Sequence, residues 1–478
     1  MAIASGVAGI VLMENAGRAV ADAVAQLRSE GPILVLCGPG NNGGDGFIAA
    51  RLLSAAGRDV EVVLFGSPGD LKGDAAMAAQ RWRGPVKTKL DQAVTASTCV
   101  VDAIFGAGLS RDLEGNVADA VARVNASGAA VVAVDVPTGV DGNTGATRGT
   151  AIQADCTVTF FRKKPGHVLY PGRGQCGEVL VRDIGITAQV LEQIQPSAFE
   201  NGPSLWRERY PIPHAGGHKY ARGHVAVVAG GPLTTGAARL AARAALRTGA
   251  GLVTLVAERA TCPVLAAHTT ALMVAQCDAP GDAVAYFRRK KVNVAVLGPG
   301  QGVGEATRAM VVAARAENLA LVVDADAISS CAQALDTLFG YAHAVLTPHD
   351  GEFARLFPDL KGDRLTRARA AAARSGAVVL LKGADSVAAA PCGKAVVNSN
   401  APPWLATAGS GDVLAGIVAG LMAQGMNPFD AACAGMWLHG EAAGQLGLGM
   451  IAEDLSEILP SVLQRLFPEA GPALSPLI

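Results

Sequence analysis

Two glycine-rich segments in this chain carry the residue types of an anion-binding site. Gly38-Pro39-Gly40-Asn41-Asn42-Gly43-Gly44-Asp45-Gly46 follows a short apolar run, and Thr407-Ala408-Gly409-Ser410-Gly411-Asp412 precedes another. Glycine lets a backbone approach a ligand and turn its N–H groups inward. The start of a following helix adds unpaired donors and the positive end of its dipole. Two such segments predict two nucleotide sites in one polypeptide. A lone segment of this kind also serves as a plain strand-to-helix turn, so the neighbouring residues decide.

In the first half those neighbours are acids at strand ends. Val101-Asp102-Ala103-Ile104-Phe105-Gly106-Ala107-Gly108 sets a carboxylate before a glycine turn. Val134-Asp135-Val136-Pro137-Thr138-Gly139-Val140 sets an acid, a hydroxyl and a glycine at the next strand end. Asparagine carbonyls suit a hard cation and backbone N–H groups suit an anion. In a doubly wound sheet these strand ends converge on one crevice. In the second half, the N–H groups of Gly409, Ser410 and Gly411 would face a developing anion. Asp412 beside them is placed to take a proton from a hydroxyl as it attacks a phosphate. The plainer reading of Asp412 alone is a helix cap.

The elements that must position these groups alternate. Helical periodicity runs from Leu12 to Leu27, and Ile33–Cys37 is a continuous apolar strand. A helix pattern over Phe47–Ala56 follows, with strands at Val60–Phe65, from Val100, at Ala130–Val136, at Cys156–Phe160 and at Val179–Val181. Residues 187 to 216 break the rhythm with Pro196, Pro203, Pro211 and Pro213. The pattern restarts at Val225–Ala229, with a helix over Gly236–Gly249 and strands at Leu252–Val256, Val292–Leu297, Leu319–Val323, Ala344–Leu346 and Val378–Leu381. Val413–Met422 reads as an apolar helix. This predicts an α/β protein with a first domain over 1–200, a linker over 201–216 and a second domain over 217–478.

Composition narrows the function. A net charge of -1 gives no reason to expect nucleic acid or an anionic membrane as partner. Nine scattered cysteines without a C-x-x-C pair predict reduced thiols, a cytoplasmic protein and no zinc site. The apolar start, Met1 to Met13, lacks a basic region and reads as a core helix rather than a signal peptide.

The first half resembles the NAD(P)H-hydrate epimerase family. The resemblance runs from about Met13 to Ile186, on Met13-Glu14-Asn15-Ala16-Gly17, Asn41 to Gly46, Asp102 to Gly108, Asp135 to Gly139 and Phe161-Arg162-Lys163-Lys164-Pro165-Gly166. It implies a Rossmann-like, doubly wound fold. It also implies interconversion of the R and S forms of NADHX and NADPHX, cofactors hydrated at nicotinamide C6. Potassium ligands then fall on Asn42, Asp102 and Thr138, where the family usually has serine at the last. Substrate contacts fall on Asn41, Asn42, Gly43, Gly44 and Asp45, on Gly106, Ala107, Gly108, Leu109, Ser110, Arg111 and Asp112, and on Asp135. Asp135 and Lys164 are the candidates for proton traffic at C6, with Lys164 also readable as a phosphate contact or loop charge. The family usually has a longer helix before Met13, so either the start codon is misassigned or the domain begins short.

The second half resembles the ribokinase-like superfamily and, within it, the ADP/ATP-dependent NAD(P)H-hydrate dehydratases. Gly298-Pro299-Gly300, Asp324-Ala325-Asp326-Ala327, Thr347 to Phe353, Leu381-Lys382-Gly383-Ala384-Asp385-Ser386, Gly217-His218-Lys219, Gly223-His224-Val225 and Thr235-Gly236-Ala237-Ala238 carry it. By that match Asp412 is the catalytic base, and Ala237, Gly300, His349 and Asp412 line the hydrate site. Lys382, Gly383, Ala384, Asp385, Ser386 and Gly411 hold ADP or ATP, with ADP favoured, and Glu352 helps position magnesium. Three departures stand out: Asp350 where proline is usual, Ser386 where threonine is frequent, and Ala401-Pro402-Pro403-Trp404 in place of Gly-Asn-Pro-Gly. The alternative is a ribokinase-like kinase for a small alcohol, such as hydroxymethylpyrimidine or hydroxyethylthiazole, fused to a nucleotide-binding domain. The resemblance further implies a homo-oligomer.

Overall fold

The computed structural model describes residues 6–214 and 216–468. The chain divides between Pro196 and Ser197 into two compact units. The first holds seven parallel strands: β1 (Ile33–Cys37), β2 (Val60–Leu64), β3 (Val86–Lys87), β4 (Cys99–Ala103), β5 (Ala130–Val134), β6 (Cys156–Phe160) and β7 (Glu178–Arg182). Their order in space is β3-β2-β1-β4-β5-β6-β7. Every residue of β1 and β4 is buried, which is why they read as unbroken apolar runs. The chain leaves β1 in one direction and returns on its other side with β4, so a crevice opens at their carboxyl ends. Asp102 pairs with Leu36 on one side and Ala133 on the other, so the three following loops leave the sheet at one level.

Helix Gly9–Leu27 buries Met13, Ala16, Gly17, Val20, Ala21 and Val24, a single helical face. The first five residues of the expected core helix lie outside the described residues, and the helix is described from Gly9. The first glycine segment departs from expectation. Residues 41–46 are not a loop but the opening turns of helix Asn41–Ala55. A methyl on Gly43 would stand 1.9 Å from the Gly38 carbonyl oxygen, and one on Gly46 would stand 2.6 Å from Ala103 Cβ. These glycines let the helix start press against the strand ends.

The second unit carries ten strands. They are β8 (Ala198–Glu200), β9 (His224–Val228), β10 (Leu252–Ala257), β11 (Met273–Gln276), β12 (Val294–Leu297), β13 (Ala320–Val323), β14 (Ala344–Leu346), β15 (Val378–Leu381), β16 (Val387–Ala389) and β17 (Ala395–Val397). Their order is β11-β10-β9-β12-β13-β14-β15-β16-β17-β8. Only β16 runs antiparallel to its neighbours. Helices Thr235–Arg247, Ser410–Ala423 and Pro428–Leu446 pack on this sheet around one apolar cluster.

The expected boundary at residue 200 and the linker over 201–216 need correction. Ala198–Glu200 pairs in parallel with β17 and completes the second sheet. Trp206 is fully buried in the second core. Arg209 forms an ion pair with Asp430 through its Nε at 2.5 Å. Prolines break periodicity here without freeing the chain. Among the described residues, no helix is long and apolar enough to cross a membrane.

Candidate functional site

In the first unit, the crevice is a cavity of about 570 Å³ lined by the Pro39–Asn42 turn, Asp45, Ile104 to Arg111, Asp135 and Phe160. Asp135 ends β5 with φ 65°, a left-handed conformation that costs a non-glycine residue energy. Its Oδ2 accepts the Ala107 N–H at 3.1 Å. Its Oδ1 accepts the Lys164 ammonium at 2.5 Å and the Thr159 hydroxyl at 3.1 Å. Burial opposes charge on Asp135, but Lys164 outweighs it and holds the carboxyl below its usual range. Lys164 therefore sits behind Asp135 and is bonded to it.

His167, one residue beyond the recognised motif, fixes this pair. Its Nδ1 accepts the Lys164 backbone N–H at 2.8 Å, so its Nε2 carries the proton and donates to the Asp135 carbonyl, also at 2.8 Å. Burial lowers its pKa to about 4, which keeps the ring neutral in this tautomer. A single histidine after a Lys-Pro turn gave no periodic signal of this role.

Asp102 and Thr138 are wholly buried beneath the cavity. The Thr138 hydroxyl donates to Asp102 Oδ1 at 2.6 Å, its backbone N–H donates to Oδ2 at 2.7 Å, and the Phe105 carbonyl lies 3.2 Å from its oxygen. Burial raises the Asp102 pKa to about 6. The Asn42 amide is buried with Nδ2 unpartnered. One carboxylate with hydroxyl, carbonyl and amide oxygens is a hard, singly charged donor set that fits a monovalent cation such as potassium. Gly43, Gly44 and Asp112 do not line the cavity. The two glycines are buried under it, and a methyl on Gly44 would stand 2.6 Å from Met13 Sδ.

In the second unit the expected groups again gather where strands end. Thr234, before helix Thr235–Arg247, donates its hydroxyl to the Gly300 carbonyl at 2.8 Å. A methyl on Gly300 would sit 3.4 Å from Ala237 Cβ. Asp324, after β13, is buried and accepts the Lys382 ammonium at 2.5 Å and the Thr347 hydroxyl at 2.8 Å. A methyl on Gly411 would stand 3.4 Å from Lys382 Nζ, so the Gly409–Asp412 turn and the Lys382 loop meet. Gly409 takes φ 85°, which starts helix Ser410–Ala423 and puts Asp412 in its first turn. Burial, then the nearby charge of Asp324, raise the Asp412 pKa to about 6 against the pull of Lys382.

His349 and Glu352 form a reciprocal cap. His349 Nδ1 accepts the Gly351 N–H at 2.9 Å, and Glu352 accepts the His349 N–H at 2.9 Å. The departures find partners as well. Asp350 accepts Arg364 at 2.7 Å and Arg367 at 3.0 Å. Arg364 also donates to the Lys382 carbonyl at 2.9 Å and pairs with buried Asp385 at 2.8 Å. Ser386 accepts the Gly383 N–H at 3.0 Å and closes the same loop. Trp404 donates to the Ala443 carbonyl at 2.9 Å and packs against the core. Asp324 and Arg364 were not foreseen as site residues. A second cavity of about 570 Å³ lies along helix Thr235–Arg247, lined by Arg239, Arg243, Arg247 and His268, and holds none of the expected residues.

Known proteins fall on the same division. The family described as YjeF-related protein N-terminus matches residues 9–166, and NAD(P)H-hydrate dehydratase matches residues 225–461. The bifunctional NAD(P)H-hydrate repair enzyme Nnr of Moorella thermoacetica is 40% identical, over 96% of this chain and 93% of that protein. Its counterpart from Escherichia coli K12 is 34% identical, over 97% and 91%. A ribokinase-like superfamily protein from Enterococcus faecalis, 24% identical, superposes on 56% of this chain and 96% of its own with a TM-score of 0.51, which supports the ribokinase-like fold of the second unit. With both family matches in one polypeptide and near end-to-end similarity to these enzymes, the chain belongs to the family of bifunctional NAD(P)H-hydrate repair enzymes.

Proposed function

We propose that the first unit epimerises R- and S-NAD(P)HX at the Asp135–Lys164 cavity, and that the second dehydrates S-NAD(P)HX at Asp412 with an adenine nucleotide as phosphoryl donor. The observation that carries this reading is Asp412, a carboxyl poised near pH 6 at a glycine-opened helix start against the Lys382–Asp324 pair. A base of that pKa is ionised at neutral pH and accepts a proton readily. Asp412 takes the proton of the C6 hydroxyl as its oxygen attacks the terminal phosphorus of ADP or ATP. The Gly409–Gly411 backbone and Lys382 meet the charge that develops. Hydroxide leaves carbon poorly, whereas phosphate leaves with the push of the ring nitrogen lone pair, and loss of a C5 proton completes NADH or NADPH.

Magnesium bound near Glu352 would neutralise phosphate charge. Potassium held by Asn42, Asp102 and Thr138 would fix the floor of the epimerase cavity. Arg364 orders the Lys382–Ser386 loop for the nucleotide. The division of the chain is then an epimerase unit and a dehydratase unit, working in the cytoplasm as a homo-oligomer.

Absorbance at 340 nm tests the reading, with mixed R,S-NADHX, Mg²⁺, K⁺ and either ADP or ATP. Recovery of NADH from both epimers, faster than spontaneous epimerisation permits, is expected. Recovery that stops at the S fraction removes the epimerase. A stable phosphorylated alcohol with no NADH would make the second unit a small-molecule kinase.

A further inference from the structure

We propose that Asp45 is the acid of the epimerisation and gives its proton to the hydroxyl leaving nicotinamide C6, in the cavity that also holds Asp135. The inference rests on the epimerase reading above and adds a second catalytic residue to it.

Asp45 stands in the opening turns of the helix after β1, and Asp135 ends β5. The order of the sheet brings both to one cavity wall. Asp45 is 9% exposed. The two acids at strand ends, by contrast, are well bonded. Asp102 accepts Thr138 and Ile104, and Asp135 accepts Ala107, Thr159 and Lys164. Among the described residues, the Asp45 carboxyl makes no hydrogen bond and no ion pair. A buried polar group without a partner is costly, and the exceptions cluster where a ligand completes them. Asn42 Nδ2, one helical turn away in the same cavity, is a second buried polar atom without a partner.

The charges around the cavity set opposite protonation states. Lys164 is committed to Asp135, His167 is neutral, and Cys37 stays a thiol. Arg111 also lines the cavity but forms no ion pair with Asp45. Burial, and then the charge of Asp135, push its carboxyl well above the usual range. Two acids in one site, one held toward the ionised form and one toward the protonated form, are the arrangement of a base and an acid.

The step balances. The Asp45 O–H proton passes to the C6 hydroxyl oxygen, the C6–O bond breaks, and the N1 lone pair forms the N1=C6 iminium. Water departs and Asp45 is left as carboxylate. Water then adds to the opposite face of C6. Its proton goes to Asp135 and the electron pair returns to N1; Asp135 then releases that proton to water and Asp45 takes one up, which restores both groups. No oxidant or co-reactant is used.

The test compares Asp45→Asn and Asp45→Glu in the full chain, following R-NADHX with the dehydratase unit of the same molecule as reporter. Asp45→Asn is expected to lower kcat for R-NADHX by about 10²–10⁴, with KM nearly unchanged, and Asp45→Glu to regain part of it. Turnover of S-NADHX stays at the wild-type rate in both. An Asn variant that keeps more than a tenth of kcat, or loses activity through KM alone, overturns the proposal. If the Asn variant unfolds, the wild-type kcat profile decides: a fall on the alkaline side of the usual carboxyl range supports Asp45, and its absence overturns it. Wild-type enzyme that never converts the R form refutes the epimerase reading instead, so the two failures are distinct.

Discussion

Replacing Asp412 with asparagine should do two opposite things. It removes the base, so dehydration of S-NADHX should fall by about 10²–10⁴. It also removes a charge that the fold disfavours. The carboxyl, ordinarily near 3.8, rises to about 6 in the folded unit. Its folded pKa lies above its unfolded one, so the native state loses stability as pH rises through this window, and the loss is complete above pH 6. At about 1.4 kcal/mol per unit the penalty reaches about 3 kcal/mol as an upper bound, and partial solvent access reduces it. Asparagine escapes it. The second unit of the variant should therefore melt several degrees higher at pH 7.5, and the gain should shrink by about half at pH 5, where the wild-type carboxyl is largely protonated. Thermal melts at the two pH values, run beside the 340 nm assay, check both limbs. A variant that retains more than a tenth of the rate, or melts lower than wild type at pH 7.5, refutes the reasoning.

Lys164→Ala should slow epimerisation by at least about tenfold and raise the Asp135 pKa, since the ammonium that holds it down is gone. The acid limb of the rate profile should move to higher pH, and a profile that stays in place would count against Asp135 as the titrating group. Arg364→Ala leaves Asp385 buried without its partner and unties the Lys382 carbonyl. It should raise KM for ADP or ATP in initial-rate assays and cost about 3 kcal/mol of stability. Gly43→Ala puts a methyl 1.9 Å from the Gly38 carbonyl. It should destabilise the first unit, although alanine in place of glycine at an open helical position would stabilise by about 1 kcal/mol, and urea melts read the difference.

Much of the fold was legible because parallel strands are buried on both faces. Ile33–Cys37 and Val378–Leu381 are continuous apolar runs and could be little else. Asp102 and Asp135 were legible for the opposite reason, as carboxylates set directly against such runs, and Asp412 as one set before an apolar helix. Three features were hidden. Ala198–Glu200 is too short to show alternation and sits among prolines. Residues 41–46 contain three glycines and two asparagines, which propensity reads as loop, and only close packing against Gly38 and Ala103 makes them helical. Asp324 and Arg364 act through contacts between residues far apart in sequence, and His167 through two backbone groups, so none leaves a local spacing to read.

The short strand Ala198–Glu200 sets a rule for taking the protein apart. A fragment begun at residue 217 would lose this strand and Trp206 together. The outer edge of β17 would then offer unpaired N–H and C=O groups beside a hole in the core. Such a piece would be inclined to self-associate through that edge, and its low activity would say nothing about Asp412. A cut immediately after Pro196 keeps the sheet closed and gives each catalyst a fair hearing on its own.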